Sequence, residues 1–139
     1  MKRSILMLEH DDDDRYITQT TIDENRYPVK VEFVATSDDL FAYMTSCEKG
    51  GTKFPELIML NYFASPVNAV EILKRLKSNI RYAHIPVVIL SGTVNNEILR
   101  KCYTAGASSF IVKPSSSEEV SKKISSFVKY WFETVELVH

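Results

Sequence analysis

Polar and charged side chains follow four short apolar runs of the chain: Glu9, His10 and Asp11, then Asn61, then Ser91, and finally Lys113. Carboxylates bind hard cations and accept strong hydrogen bonds from ammonium groups. A lysine can neutralise phosphate oxygens, and a serine hydroxyl can donate a hydrogen bond to them. The carboxamide of Asn61 differs from these groups because it is neutral and a poor nucleophile. The residue types therefore suit the binding of charged groups, with one unreactive amide among them.

The apolar runs have the length and composition of buried β-strands. Predicted strands cover residues 4–8, 29–34, 56–60, 85–90 and 108–112. The fourth run is apolar at every position from Val87 to Leu90, which is typical of parallel strands that are covered on both faces. All of the candidate groups lie just after the first, third, fourth or fifth run.

Helical patterns separate these strands. Predicted helices cover residues 11–23, 38–47, 67–79 and 95–105, and a fifth helix begins at residue 115. Asp11 or Asp12 is predicted to cap the first helix, and the neighbouring aspartates would complement its positive end. Gly106 is predicted to end the fourth helix. The serines at 115–117, followed by two glutamates, predict a capping box at the start of the fifth.

The end of the fifth helix carries an aromatic cluster: Phe127, Tyr130, Trp131 and Phe132. If the helix continues to Leu137, it spans ~33 Å at ~1.5 Å per residue, and its end would overhang the sheet. An overhanging aromatic end predicts a homodimer or partner surface. The alternative is that the tail packs onto its own domain.

Strict alternation of five strands with five helices predicts an α/β fold with a doubly wound parallel sheet. Right-handed crossovers would place helices on both faces of that sheet. Ligand and reaction sites in such sheets lie at the carboxyl ends of the strands, so the candidate groups are predicted to converge there. The chain has 139 residues and no evident linker, which predicts one domain over residues 1–139.

Composition removes several classes of function. A net charge of -1 gives no argument for direct contact with nucleic acid or with an anionic membrane. Residues 9–14 contain no glycine, so the first turn cannot form a dinucleotide-binding loop, and Ser91 lacks the glycine pattern of a hydrolase nucleophile. We therefore do not expect an enzyme. Cys47 and Cys102 show no pairing or metal spacing, which predicts a reducing, cytoplasmic location.

The order and spacing of these residues resemble the receiver domain of two-component response regulators over nearly the whole chain. The strongest match is residues 105–114, which keep a helix-ending Gly106, an aromatic Phe110 and a Lys113-Pro114 pair. This segment lies at the expected distance after Asn61 and Ser91. The resemblance, which is to the chemotaxis-type single-domain receivers, implies a flavodoxin-like five-stranded sheet with strand order 2-1-3-4-5 and five helices.

In that family an aspartate accepts a phosphoryl group, and an acidic pair and a backbone carbonyl hold Mg²⁺ beside it. The resemblance places Asn61 at the phosphoacceptor position, Glu9 and His10 at the acidic pair, and Phe63 at the backbone-carbonyl position. The positions of the family's hydroxyl, aromatic and lysine are kept: Ser91, Phe110 and Lys113. The implied scaffold is intact, whereas the implied chemistry is altered at two places.

The two replacements have predictable consequences. An aspartyl phosphate cannot form at Asn61, and the loss of two carboxylates removes most of the charge that would hold Mg²⁺. No cofactor is therefore predicted, since Mg²⁺ is expected only for an intact receiver. Glu9, His10 and the Phe63 carbonyl are weak candidate metal ligands. Lys113 is predicted to pair with Glu9, with the Asn61 oxygen as a further acceptor.

The function implied is that of a degenerate receiver in two-component phosphorelay signalling, which acts by protein–protein interaction. The implied partner is a histidine kinase, a phosphotransfer protein or an output protein, bound by a surface of the fourth helix, fifth strand and fifth helix. Two alternatives remain open. One is a receiver that is phosphorylated on another acid near Asp11, and the other is a small-molecule-binding pseudo-receiver.

Overall fold

A computed structural model describes residues 2–138, so Met1 and His139 of the predicted domain lie outside the described residues. The elements are, in chain order, β1 (Arg3–Leu8), α1 (Asp12–Glu24), β2 (Val29–Val34), α2 (Ser37–Glu48), β3 (Leu57–Asn61), α3 (Ala69–Lys77), β4 (Val87–Ser91), α4 (Asn96–Ala105), β5 (Ser109–Val112) and α5 (Ser117–Lys129). The strands are all parallel and form one sheet in the order β2-β1-β3-β4-β5. The predicted flavodoxin-like fold, its strand order and its five helices are confirmed.

Alternating side chains of the strands form two apolar cores on opposite faces of the sheet. In β3, Ile58 and Leu60 pack under α2, α3 and α4, whereas Leu57 and Met59 pack under α1 and α5. This division follows from the two-residue period of a strand. Both faces of the central strands are therefore covered, and only the strand ends are left to carry polar groups. No helix within residues 2–138 combines the length and the apolar character needed to cross a bilayer.

Each helix begins directly after a polar N-cap residue, which ends the preceding loop. The five capping side chains each accept a hydrogen bond from the backbone N–H three residues later: Asp11, Thr36, Asn68, Asn95 and Ser116. A cap of this kind contributes about 1 kcal/mol. The prediction that Asp11 or Asp12 caps α1 is confirmed for Asp11.

The end of the chain follows the second of the two expectations, in which the tail packs onto its own domain. α5 stops at Lys129, a π-helical turn follows over Tyr130–Thr134, and the chain then folds back. Trp131 and Leu137 are buried in the core beneath α1 and α5. The helix does not continue to Leu137, and the tail instead buries these apolar side chains against the chain's own domain. The homodimer stays a prediction.

Gly106, which ends α4, offers a test of how closely α3 and α4 pack. Its φ is +114°, and a Cβ atom there would lie 2.8 Å from Cγ of Lys77 in α3. We expect Gly106→Ala to lower the free energy of unfolding by about 2 kcal/mol in urea titrations followed by circular dichroism. Gly50→Ala is the matched control, since φ is +81° there and nothing lies within 4 Å. It should cost only about 1 kcal/mol, and equal losses would contradict the close approach.

Candidate functional site

The predicted residues do converge at the carboxyl edge of the sheet. Glu9 directly follows β1 and is 0% exposed, while Asn61 ends β3 and is 6% exposed. Ser91 ends β4 and is fully buried. Lys113 directly follows β5, and its side chain is 21% exposed. The parallel register of the four strands brings residues that are far apart in sequence into one site.

An ion cluster around Lys113 forms the centre of the site. Its Nζ donates hydrogen bonds to Oε1 of Glu9 at 2.5 Å and to Oδ2 of Asp14 at 2.6 Å. The pairing with Glu9 was predicted from the sequence. Charge-assisted bonds of this length are among the stronger polar contacts in proteins. They connect β5 to β1 and to the first turn of α1.

Asp14 is the functional residue that sequence reasoning missed. The run Asp11 to Asp14 was interpreted mainly as a helix cap with neighbours that complement the positive helix end, and a pairing of Asp14 with Lys113 was not predicted. A usable signal was present, because Asp14 lies four and seven residues before Thr18 and Thr21, both of which are buried. Positions with this spacing share one face of a helix, and here that face is turned toward the sheet.

The pKa of Lys113 reflects opposing effects. Burial alone would lower the pKa of the ammonium group, but hydrogen bonds and charge attraction from Asp14 and Glu9 outweigh it, so the pKa is raised above 10.5. Lys113 is therefore held in its charged form. A second cation lies beside the cluster, since Nε of Arg15 donates to the backbone oxygen of Glu9 at 2.5 Å.

Both polar atoms of the Asn61 amide are engaged. Nδ2 donates to Oε2 of Glu9 at 2.8 Å, and Oδ1 accepts the backbone N–H of Phe63 at 2.9 Å. The carboxylate can only accept and the N–H can only donate, so these partners determine the orientation of the amide. The expected contact between the Asn61 oxygen and Lys113 does not form, because Nζ of Lys113 is hydrogen-bonded to Glu9 and Asp14, and the oxygen accepts from Phe63 in a local turn of the Asx type.

Two candidate residues on the first loop are exposed to solvent at the border of the site. The side chain of His10 is 61% exposed, and its Nδ1 lies 3.8 Å from Oε2 of Glu9. Asp11 is exposed, and its Oδ1 accepts the N–H of Asp14 at 3.0 Å as the cap of α1. Its own N–H donates to Oε2 of Glu9 at 3.3 Å. Asp11 thus supports Glu9 through its backbone rather than through its carboxylate.

The remaining candidates occupy their expected positions in the fold. The Ser91 hydroxyl donates to the carbonyl oxygen of Thr93 at 2.7 Å and accepts that residue's N–H at 3.1 Å. Phe110 is half-buried against the core under α2, α3 and α4. The side chain of Phe63 is 57% exposed. The hydroxyl is therefore used within its own turn, while an aromatic side chain projects into solvent beside Asn61.

The donor set does not fit a magnesium ion. Both carboxylate oxygens of Glu9 are taken by Lys113 and Asn61, and the Asn61 oxygen is taken by the backbone. Hard cations need free oxygen ligands, and the imidazole of His10 is a poor substitute. Within the part of the chain that the structure describes, no group of three or more His, Cys, Asp and Glu residues could hold a metal.

Comparison with known proteins agrees with this architecture. The family model of the response regulator receiver domain matches residues 5–125. The chain therefore belongs to the response regulator receiver domain family and takes part in two-component signalling. Members of this family are signalling proteins that interact with histidine kinases, phosphotransfer proteins or output proteins.

Individual relatives are distant in sequence. The probable methanogenesis regulatory protein FilR2 of Methanothrix harundinacea is 24% identical over 91% of this chain and 82% of its own length. The two-component response regulator ORR1 of Oryza sativa is 22% identical over 85% of this chain, which spans only 52% of that relative. The chain thus covers most of one relative and about half of the other.

Solved structures show the same fold. The phosphorylated cyanobacterial phytochrome response regulator RcpA superposes with a TM-score of 0.92 at 22% identity, covering 100% of both chains. The Mn²⁺-bound form of response regulator Rcp1 gives a TM-score of 0.89 at 21% identity, covering 99% of both. At these identities the likeness extends to the fold and not to the chemistry of the site.

Replacing Lys113 should reveal how much the cluster stabilises the fold. In Lys113→Met the buried Glu9 carboxylate loses its ammonium partner, and we expect the free energy of unfolding to fall by about 2 to 3 kcal/mol at neutral pH. Urea titration measures the change. Lys122→Met, on the exposed surface of α5, is the control and should stay within about 0.5 kcal/mol of the wild type. Similar losses in both variants would contradict the role of the cluster.

The difference in stability between the wild type and Lys113→Met should depend on pH. Because the folded pKa of Lys113 is raised above 10.5, its contribution is fully present below that value and is lost as pH rises through the folded pKa. The stability gap between wild type and Lys113→Met should stay constant up to about pH 10 and narrow at higher pH. Urea titrations across this range measure it, and a gap that widens above pH 10 would contradict the assigned partners.

Proposed function

We propose that this receiver acts by protein–protein interaction and without conventional aspartyl phosphorylation. The observation that supports the proposal best is the buried Asn61 amide, with both polar atoms in hydrogen bonds to Glu9 and to the backbone of Phe63. Phosphoryl transfer to an aspartate needs a carboxylate oxygen to attack phosphorus while the bond to the donor's leaving oxygen breaks. A neutral carboxamide oxygen cannot form a stable product of that kind.

The surroundings of Asn61 support the same proposal. Lys113, which would neutralise an incoming phosphate, is already bound by Glu9 and Asp14. An incoming phosphoryl group would have to displace these carboxylates and would meet their negative charge. RcpA is described as phosphorylated and Rcp1 as Mn²⁺-bound. In this chain Lys113 and Asn61 both donate hydrogen bonds to the Glu9 carboxylate.

The proposed contact surface comprises α4, β5 and α5. β5 is an edge strand, and its residues are all half-buried, so its outer side is open to a partner. Tyr103 of α4 is also exposed. A histidine kinase, a phosphotransfer protein or an output protein is the proposed partner. The proposed setting is the cytoplasm, where the buried thiols Cys47 and Cys102 would stay reduced.

The two alternatives have less support. Phosphorylation of Asp11 would have to compete with its role as the cap of α1. A small molecule in the converted pocket would find little enclosed space beneath the ion cluster. The apolar cavity between the sheet, α1 and α5, which Asp14 and Lys113 border, has a volume of about 40 Å³. That volume holds a few water molecules at most.

Incubation with acetyl phosphate and Mg²⁺, followed by intact-mass spectrometry, tests the proposal. We expect the wild type to gain no stable phosphoryl group, and Asn61→Asp alone to remain a poor acceptor because His10 leaves the metal site incomplete. Adding His10→Asp should raise the extent of phosphorylation by at least about tenfold.

Two outcomes would count against this account. A phosphoryl group stably attached to the wild type would remove the proposal, and its mapping to Asp11 would establish the first alternative. Efficient phosphorylation of Asn61→Asp alone would show that the loss at His10 has no consequence.

A further inference from the structure

An open groove of about 1080 Å³ runs between α3 and α4 and reaches the loop that follows Asn61. Its apolar wall contains small side chains, Ala64, Val70 and Ala105. Two aromatic rings stand at its end, where Tyr62 and Phe63 meet edge-to-face with centroids 5.1 Å apart. The ring of Phe63 is mostly exposed. The groove therefore offers an apolar wall of small side chains next to an exposed aromatic ring.

Basic side chains outnumber acidic ones along the groove, although the whole chain carries a net charge of -1. The lining includes four cations and two carboxylates: Lys74, Lys77, Arg100 and Lys101 with Glu71 and Glu97. Each carboxylate already pairs with a lysine, at 3.4 Å in α3 and at 3.0 Å in α4. Within residues 2–138, Arg100 forms no ion pair. The local surplus of positive charge therefore favours an anionic occupant.

The charged residues of α4 lie together at the rim of the groove, which is its solvent-exposed border. Glu97, Arg100 and Lys101 share one face of α4, because positions three and four residues apart are neighbours on a helix. Lys77 lies deeper, and its Nζ donates to the carbonyl oxygens of Ala83 at 3.0 Å and Ile85 at 2.7 Å. On the rim, Lys74 and Lys101 each pair with a glutamate of their own helix, which leaves Arg100 as the unpaired cation among the described residues, while the deep lysine serves the fold.

The groove is directly connected to the altered phosphorylation site. The N–H of Phe63 donates to Oδ1 of Asn61 at 2.9 Å, and the N–H of Ala64 donates to the backbone oxygen of Asn61 at 3.1 Å. A molecule that packs on the Phe63 ring would therefore contact the same turn that orients the Asn61 amide. The two sites are joined by two hydrogen bonds within this turn, one to the Asn61 side chain and one to its backbone.

We infer that the groove is a docking site for an acidic segment of a partner protein that carries one bulky apolar side chain. The apolar residue would pack against Phe63 and Val70, and its flanking carboxylates would face Arg100 and Lys101. This inference rests on the proposed protein-binding function, to which it adds the groove between α3 and α4, which shares α4 with the α4-β5-α5 surface, and the chemistry of the ligand. A protein segment is favoured over a small anion because the groove combines an exposed aromatic ring with dispersed cations.

Titration of ¹⁵N-labelled protein with synthetic twelve-residue peptides tests the inference. One peptide places a phenylalanine among glutamates, a second replaces the glutamates with glutamines, and a third replaces the phenylalanine with alanine. We expect the first peptide to shift amide signals of α3, α4 and residues 62–64. The other two should bind at least about tenfold more weakly.

Variants connect the binding to the groove. Arg100→Glu should weaken the first peptide by at least about fivefold, whereas Lys53→Glu, the same charge change at an exposed position in the loop before β3, should leave its affinity within about twofold. Phe63→Ala should weaken binding through the apolar contact. Thermal unfolding checks that each variant is folded, and both groove variants change exposed side chains.

Three results would overturn the inference: no groove shifts at about 1 mM peptide, equal binding of the acidic and neutral peptides, or sedimentation showing that a second copy of the chain fills the groove. Phosphodonor labelling of Asn61 variants does not involve this groove. Failure of the docking site and failure of the phosphorylation-independent function can therefore be told apart.

Discussion

The Glu9 carboxylate is the group on which the site depends. It is fully removed from solvent at the end of β1, and a buried carboxylate is costly unless it is paired and hydrogen-bonded. The partners come from three other elements. Lys113 follows β5, Asn61 ends β3, and the N–H of Asp11 precedes α1. The hydrogen bonds to this one carboxylate therefore connect the carboxyl ends of β1, β3 and β5 with the start of α1.

The same contacts support the proposal that this receiver has lost the family's phosphoryl chemistry. The family's scheme needs a free nucleophilic carboxylate, free oxygen ligands and a lysine that can turn to a phosphate. In this chain the Asn61 amide stabilises Glu9, the oxygens of Glu9 are occupied, and Asp14 supplies Lys113 with a second carboxylate. Retention of Ser91, Phe110 and Lys113 can thus be understood as retention of structure, since all three are packed or bonded within the domain.

Much of the fold could be predicted because its determinants are local. Apolar runs such as Val87 to Leu90 specify buried strands, and polar residues such as Asp11 specify helix starts. The meeting of Glu9 with Lys113 was predictable as well, since parallel strands end at one edge. The role of Asp14 was missed because an aspartate next to a cap has an ordinary explanation. The tail at Leu137 and the turn that binds the Asn61 oxygen depend on tertiary packing and backbone geometry, which spacing alone does not encode.

The central claim is that the groups around Asn61 satisfy one another and leave no place for a phosphoryl group with its metal. Beryllofluoride with Mg²⁺ is a stable mimic of that pair, and ¹H–¹⁵N spectra of the wild-type protein report its binding residue by residue. The account predicts no saturable change at the signals of Asn61, Ser91 and Lys113. Saturable shifts at these three residues, dependent on both Mg²⁺ and beryllofluoride, would contradict it.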